Sequence, residues 1–191
     1  MNVKKSMEQR EINNKSVKEN KWYAVYTRPR AEKQVNQRLI DAGIETFLPL
    51  QKTLRQWSDR RKMVEKPLLS SYIFVKTQPK FFPVVYKTVG VVRLITFEGK
   101  AVAIPEYQIN NLRLIINSDA EVEVTTEKFE KGDLVEVTTG PLKGLMGELV
   151  KIGSRKRVVV RIEKIEQNII LAISPAFLKK ISRRRAVNSK Q

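Results

Sequence analysis

The sequence predicts an α+β unit over residues 21–116, an antiparallel sheet sandwiched by helices, followed by a small all-β barrel over residues 129–182. Three observations predict this. Residues 21–116 alternate short apolar or β-branched runs with segments of helical period. Residues 129–182 hold only short β runs separated by tight turns. Between them, residues 117–128 carry Asp119, Glu121, Glu123 and Glu127 against Lys128 and lack a convincing period, which reads as an acidic linker.

The elements follow in order. Residues 1–20 alternate charge with Asn, Ser and Gln and read as a disordered basic tail. Trp22, Tyr23, Val25 and Tyr26 predict an aromatic, β-branched strand over 21–27. A helix is predicted over 29–42: Pro29 suits its first position, Glu32 its positive first turn, and Gly43 its C-terminal cap. Ala31, Val35, Leu39 and Ala42 share its apolar face, and Arg30, Lys33, Gln34, Gln37 and Arg38 lie opposite. Residues 45–50 read as a strand ended by Pro49. Residues 51–67 read as a basic β-hairpin, with Arg55, Arg60, Arg61, Lys62 and Lys66 against Asp59 and Glu65. Residues 71–76 form a strand apolar on both faces, which requires cover on both sides. A short helix over 79–88, a strand over 91–97 and a helix opened by Pro105, with Ile109, Leu112 and Ile116 on one face, complete the unit.

In the second unit strands are predicted at 134–138, 145–152, 157–162, 168–173 and 178–181, enough for a small SH3-like barrel. Gly140, Gly144 and Gly147 punctuate the turn between the first two, where glycine supplies positive φ or close backbone approach. Val158, Val159, Val160 and Ile162 lower helix preference through their branched side chains, so this segment is expected as strand. Residues 183–191, with Arg183, Arg184 and Arg185, read as a frayed basic tail.

Composition narrows the function. Of 191 residues 41% are apolar and 30% charged, which supports a packed core. With no cysteine and no histidine, disulfides, thiolate metal sites, serine and cysteine triads and imidazole acid–base chemistry are excluded. Neither a P-loop nor a dinucleotide glycine pattern occurs. A binding protein without a cofactor is therefore expected, not an enzyme. No apolar run approaches the roughly 20 residues of a membrane span, and residues 1–20 lack the hydrophobic region of a secretory leader, which points to the cytoplasm and away from membranes. The net charge of +17 points to a polyanion, for which nucleic acid is the obvious candidate.

Three segments in fixed order carry a family resemblance. Residues 22–34, opening Trp22-Tyr23-Ala24-Val25-Tyr26-Thr27-Arg28-Pro29-Arg30, resemble the start of the NusG N-terminal (NGN) domain, and residues 89–95 resemble its late Gly-Val strand. Residues 132–150 resemble the KOW motif of transcription elongation factors and some ribosomal proteins. Residues 47–62 are more similar still to the UpxY-type antiterminators associated with capsular polysaccharide operons, and more loosely to RfaH. The resemblance implies an NGN domain at 21–116 and a KOW barrel at 129–182.

It also implies partners and sites. NusG-like domains grip the clamp helices of RNA polymerase through an apolar patch; the matching positions are Tyr26, Leu69, Tyr72 and Phe74. Here Leu69-Ser70-Ser71 stands where the family often has Phe-Pro, which makes the patch less aromatic. RfaH-like proteins read the displaced non-template DNA strand, and the matching positions are Arg28, Arg30, Lys33, Gln34 and Arg38, with Lys87 and Thr88 as a second contact. Arginine suits that task because it pairs phosphates, bonds base edges and stacks on bases. Arg55, Arg60, Arg61 and Lys62 are candidates for nonspecific contact with upstream DNA. The expected protein is a monomeric, operon-specific antiterminator that suppresses pausing and termination. A housekeeping NusG, whose barrel would recruit a ribosome or a termination factor, is the alternative. A KOW-containing ribosomal or RNA-binding protein is another.

Overall fold

The structure is a computed structural model that describes residues 19–56 and 61–182; the side chains of residues 54–62 lie outside the description, as do the expected tails except residues 19 and 20. Its order is β1 (Lys21–Thr27), α1 (Glu32–Asp41), β2 (Glu45–Phe47), β3 (Leu50–Gln56), β4 (Arg61–Pro67), β5 (Tyr72–Thr77), α2 (Phe82–Lys87), β6 (Val91–Leu94), β7 (Thr96–Phe97), β8 (Lys100–Ala101), β9 (Ala103–Ile104) and α3 (Glu106–Ile116). Six more strands follow: β10 (Val122–Thr125), β11 (Asp133–Val137), β12 (Met146–Ile152), β13 (Arg155–Ile162), β14 (Gln167–Leu171) and β15 (Leu178–Lys180).

The first sheet runs β2-β5-β1-β6, with β9 also pairing with β1. Its strands are antiparallel, and β1 sets Tyr26 opposite Tyr72 and Ala24 opposite Phe74. Side chains alternate across the pleat. Tyr23, Val25, Ile73 and Val75 therefore join Val35 and Leu39 of α1 and Val85 of α2 in one core. Trp22, Ala24 and Phe74 face the other way, toward Ile109, Leu112 and Ile115 of α3. This two-sided burial of β5 is what its doubly apolar sequence requires.

Two local differences from the sequence reading stand in the N-terminal half. The helix predicted over 29–42 starts at Glu32, because Arg30 adopts a left-handed φ of 64° and leaves residues 28–31 as a turn. Glu32 is buried, and its Oε1 accepts a 2.7 Å bond from the Ser71 amide, pinning a turn in which Ser71 itself has a φ of 65°. The strand predicted over 91–97 is broken at Ile95, which separates β6 from the small β7–β8 ribbon.

The second sheet is antiparallel in the order β10-β14-β13-β12-β11-β15. Val158–Val160 and Ile162 stand in β13 as strand, not helix. Residues 117–128, expected as linker, contain β10: Val122 and Val124 are half-buried, alternate with exposed Glu121 and Glu123, and pair with β14. Gly140 and Gly144 take positive φ in the turn before β12, whereas Gly147 serves close approach, since a Cβ there would lie 2.7 Å from Val158 Cγ1.

The two sheets share one core. Val135, Val137, Leu145, Val160, Ile162 and Ile165 of the C-terminal half belong to the same buried cluster as Trp22, Leu69, Phe74, Ile95 and Leu112 of the N-terminal half.

Candidate protein and nucleic-acid interfaces

Tyr26 and Tyr72 face each other across β1 and β5, with ring centroids 5.3 Å apart at 63°, an edge-to-face pair. Arg93, opposite Tyr26 on β6, places its guanidinium 5.9 Å from the Tyr26 ring centroid. Both tyrosines are half-buried. The Tyr72 phenol is pushed above its ordinary value mainly by burial and further by Tyr26 and Glu166, with Arg93 opposing. Leu69 and Phe74 are fully buried. Phe74 stacks on Phe47 at 6.2 Å, and Phe47 in turn meets the Trp22 ring edge-on at 6.4 Å. Of the four positions matched to a polymerase contact, two present surface and two are core.

The C-terminal half borders this patch. Tyr72, Arg93, Ile95, Phe97 and Val102 line one wall of a cleft whose other wall is Glu163, Lys164, Ile165 and Glu166, the turn between β13 and β14. Lys164 Nζ lies 5.7 Å from the Phe97 ring centroid. A second cleft runs between Lys66, Leu68 and Ser70 on one side and Val122, Val124 and Gln167 on the other. On α3, Asn111 bonds the β12 backbone twice: its Nδ2 donates to the Met146 carbonyl at 2.7 Å, and its Oδ1 accepts from the Met146 amide at 3.1 Å. This amide clamp is buried, and both of its ends are satisfied.

The cationic positions divide into two groups. Gly90 has a φ of 99°, and a Cβ there would meet Val35 Cγ2 at 2.7 Å, so only glycine lets the loop 88–90 close on α1. That closure brings the Arg28 amide to the Gly90 carbonyl at 2.9 Å and Arg38 Nη1 to the Val89 carbonyl at 2.7 Å. Arg28, Arg38 and Thr88 thus border one loop, and Lys87 is the exposed residue before it. Lys33 instead forms a half-exposed ion pair with Glu65 of β4 at 3.7 Å, a contact of small energy. Arg30 and Gln34 are exposed. The side chains of Arg55, Arg60, Arg61 and Lys62 lie outside the described residues.

Sequence reading missed Arg93, Asn111 and Glu166. Arg93 alone carried a signal, as a cation inside an apolar strand. Among the described residues no group of His, Cys, Asp or Glu could hold a metal ion, and no helix is long and apolar enough to cross a membrane.

A family model described as transcription termination factor nusG matches residues 20–113. The chain is 27% identical over 153 residues to the transcription termination/antitermination protein NusG of Rickettsia prowazekii, covering 74% of this chain and 80% of that protein. It is 27% identical over 143 residues to NusG of Chlamydia trachomatis, covering 69% of this chain and 78% of that protein. Among solved structures, a Thermotoga maritima NusG described for its domain interaction matches with 19% identity and a TM-score of 0.46, over 85% of this chain and 98% of that one.

Proposed function

We propose, from the premise that residues 20–113 belong to the NusG family of transcription factors, that this chain binds RNA polymerase through the β1–β5 face and modulates elongation without chemistry of its own. The observation that carries the reading is the Tyr26–Tyr72 pair beneath Arg93, apolar rings with polar tips on one sheet face. Such a surface suits a contact that is dry at its centre and wet at its rim. The loop bordered by Arg28, Arg38, Lys87 and Thr88 would meet the non-template DNA strand, with Arg30, Lys33 and Gln34 beside it. Residues 21–116 would act as the polymerase-binding unit and 129–182 as a KOW barrel.

Because Leu69 is buried and the turn 163–166 stands against Tyr72, full engagement requires the C-terminal sheet to leave this face. The factor would then exist in two states, and polymerase would select the open one. The finer reading, an operon-specific antiterminator of the UpxY kind, is supported by the resemblance of residues 47–62. Polymerase co-purification with the parent and with Tyr72→Ala tests the contact: polymerase retained by a folded Tyr72→Ala protein at the parent level rejects it. Transcript profiling of a deletion strain separates the specialised factor, which changes one operon, from a housekeeping one, which changes many.

A further inference from the structure

The β12–β13 hairpin ends in a cationic tip. Gly153, with a φ of 58°, turns the chain between the strands, and the register sets Lys151 directly opposite Lys156, Arg155 opposite Ile152 and Arg157 opposite Val150. Lys151, Arg155 and Lys156 are exposed and Arg157 is half-buried. Like charges placed directly across an antiparallel pair destabilise it. No carboxylate of the described residues forms an ion pair with any of the four. Two other cations of the same sheet are paired, Arg161 with Glu148 at 3.1 Å and Lys180 with Asp133 at 2.8 Å, while Lys179 stands exposed on β15 with no ion pair among the described residues. Folding alone gives no reason to gather four uncompensated cations here.

The location adds to this. Met146 and Ile162, at the far end of the same hairpin, adjoin the N-terminal half, through the Asn111 clamp and the shared core. Six residues of strand place the tip about 20 Å from Met146, at roughly 3.4 Å per residue, so it stays open whether or not the sheets are joined. Register pairs share a face, so Lys151 and Lys156 project to one side while Arg155 and Arg157 project to the other. Cations on both sides of a narrow tip suit a flexible chain of charges that wraps it. The tip carries no exposed large apolar side chain. Membrane association and peptide capture usually rely on such anchors, whereas a phosphate backbone needs none.

We propose that this tip is a nucleic-acid site, binding a phosphodiester backbone through Lys151, Arg155, Lys156 and Arg157, independently of the polymerase-binding face. The test compares two variants of the full chain with equal loss of charge. One is Lys151→Gln/Arg155→Gln/Lys156→Gln; the other is Lys128→Gln/Lys143→Gln/Lys179→Gln, three exposed lysines elsewhere in the C-terminal part. Binding of fluorescent single-stranded RNA, single-stranded DNA and duplex DNA is titrated at several salt concentrations. For at least one of these the tip variant should bind about tenfold more weakly at low salt, with the slope of log K against log salt smaller by about 2, roughly 0.7 for each lost single-strand contact. The nucleic acid with the largest loss identifies the strand. Equal losses in both variants, or none in either, overturn the proposal. The tip variant should melt at or above the parent temperature, because it removes like-charge repulsion. Should it melt lower, single Lys156→Gln and Lys156→Arg proteins decide the matter: binding lost in the first and kept in the second supports the site, and identical binding in both rejects it.

Discussion

Single side chains divide between the proposed binding face and the stability of the fold. Tyr72 is the anchor of the proposed polymerase face, and Tyr72→Ala should weaken association by about 1–3 kcal/mol, measured as a ratio of dissociation constants. Phe74 is also matched to that contact but is fully buried, so loss of binding in Phe74→Ala is interpretable only beside its melting curve. The raised Tyr72 phenol has a pH consequence. The folded state holds that proton more tightly than the unfolded state, so its contribution is complete below the ordinary tyrosine value of 10.0 and is lost as pH climbs through the raised one. Tyr72→Phe should lose less stability above that pH than the parent, as followed by chemical denaturation; Tyr23, also raised by burial, leaves a residual dependence in both. Gly132 is a different case: a Cβ there would collide with the Leu149 carbonyl oxygen, so Gly132→Ala must shift backbone and should cost about 1–3 kcal/mol in a denaturant midpoint.

Elements show how far local sequence reaches. Strands β11 to β15 were legible because apolar alternation and glycine turns coincide there, and Val158 to Ile162 follow their β-branched preference. Strand β10 was equally written in the alternation of Glu121, Val122, Glu123 and Val124, but its acidity suggested a linker. The start of α1 was not legible, since the left-handed turn at Arg30 is fixed by the Arg28–Gly90 bond and by Glu32 reaching Ser71, both long-range contacts. The pairing of Arg38 with the loop at Val89 was likewise hidden, although Arg38 stood on the polar face of a predicted helix and Val89 opened a recognised motif. The same holds for α3 and β12: nothing around Asn111 marks it as a clamp. Asn111→Ala would leave the Met146 amide and carbonyl without their side-chain partners, at a cost of about 1–3 kcal/mol wherever they stay buried. That cost falls on the joined state of the two sheets. Amide exchange at Met146 should therefore rise in the variant while exchange in the middle of β13 is unchanged.

At the scale of the whole molecule, the N-terminal α+β architecture and the strand-rich C-terminal part could be read from pattern, but their relation could not. Each half presents an ordinary apolar face, and only the assembled structure puts Leu69, Ile95 and Leu112 in one core with Leu145, Ile162 and Ile165. The consequence is a proposed polymerase face that is partly spent on internal contact. A binding-competent state that is only fractionally populated weakens apparent affinity by that fraction. Loosening the junction should therefore tighten polymerase binding, whereas damaging the face should weaken it. The dissociation constant of core RNA polymerase for the full chain, measured for the parent, Asn111→Ala, Tyr72→Ala and the double variant, tests this directly. Binding should be tighter for Asn111→Ala, by up to about tenfold for 1.4 kcal/mol of lost docking, and weaker for Tyr72→Ala with or without Asn111→Ala. A folded Tyr72→Ala protein that binds like the parent, or an Asn111→Ala protein that exchanges faster at Met146 yet binds no more tightly, would contradict this.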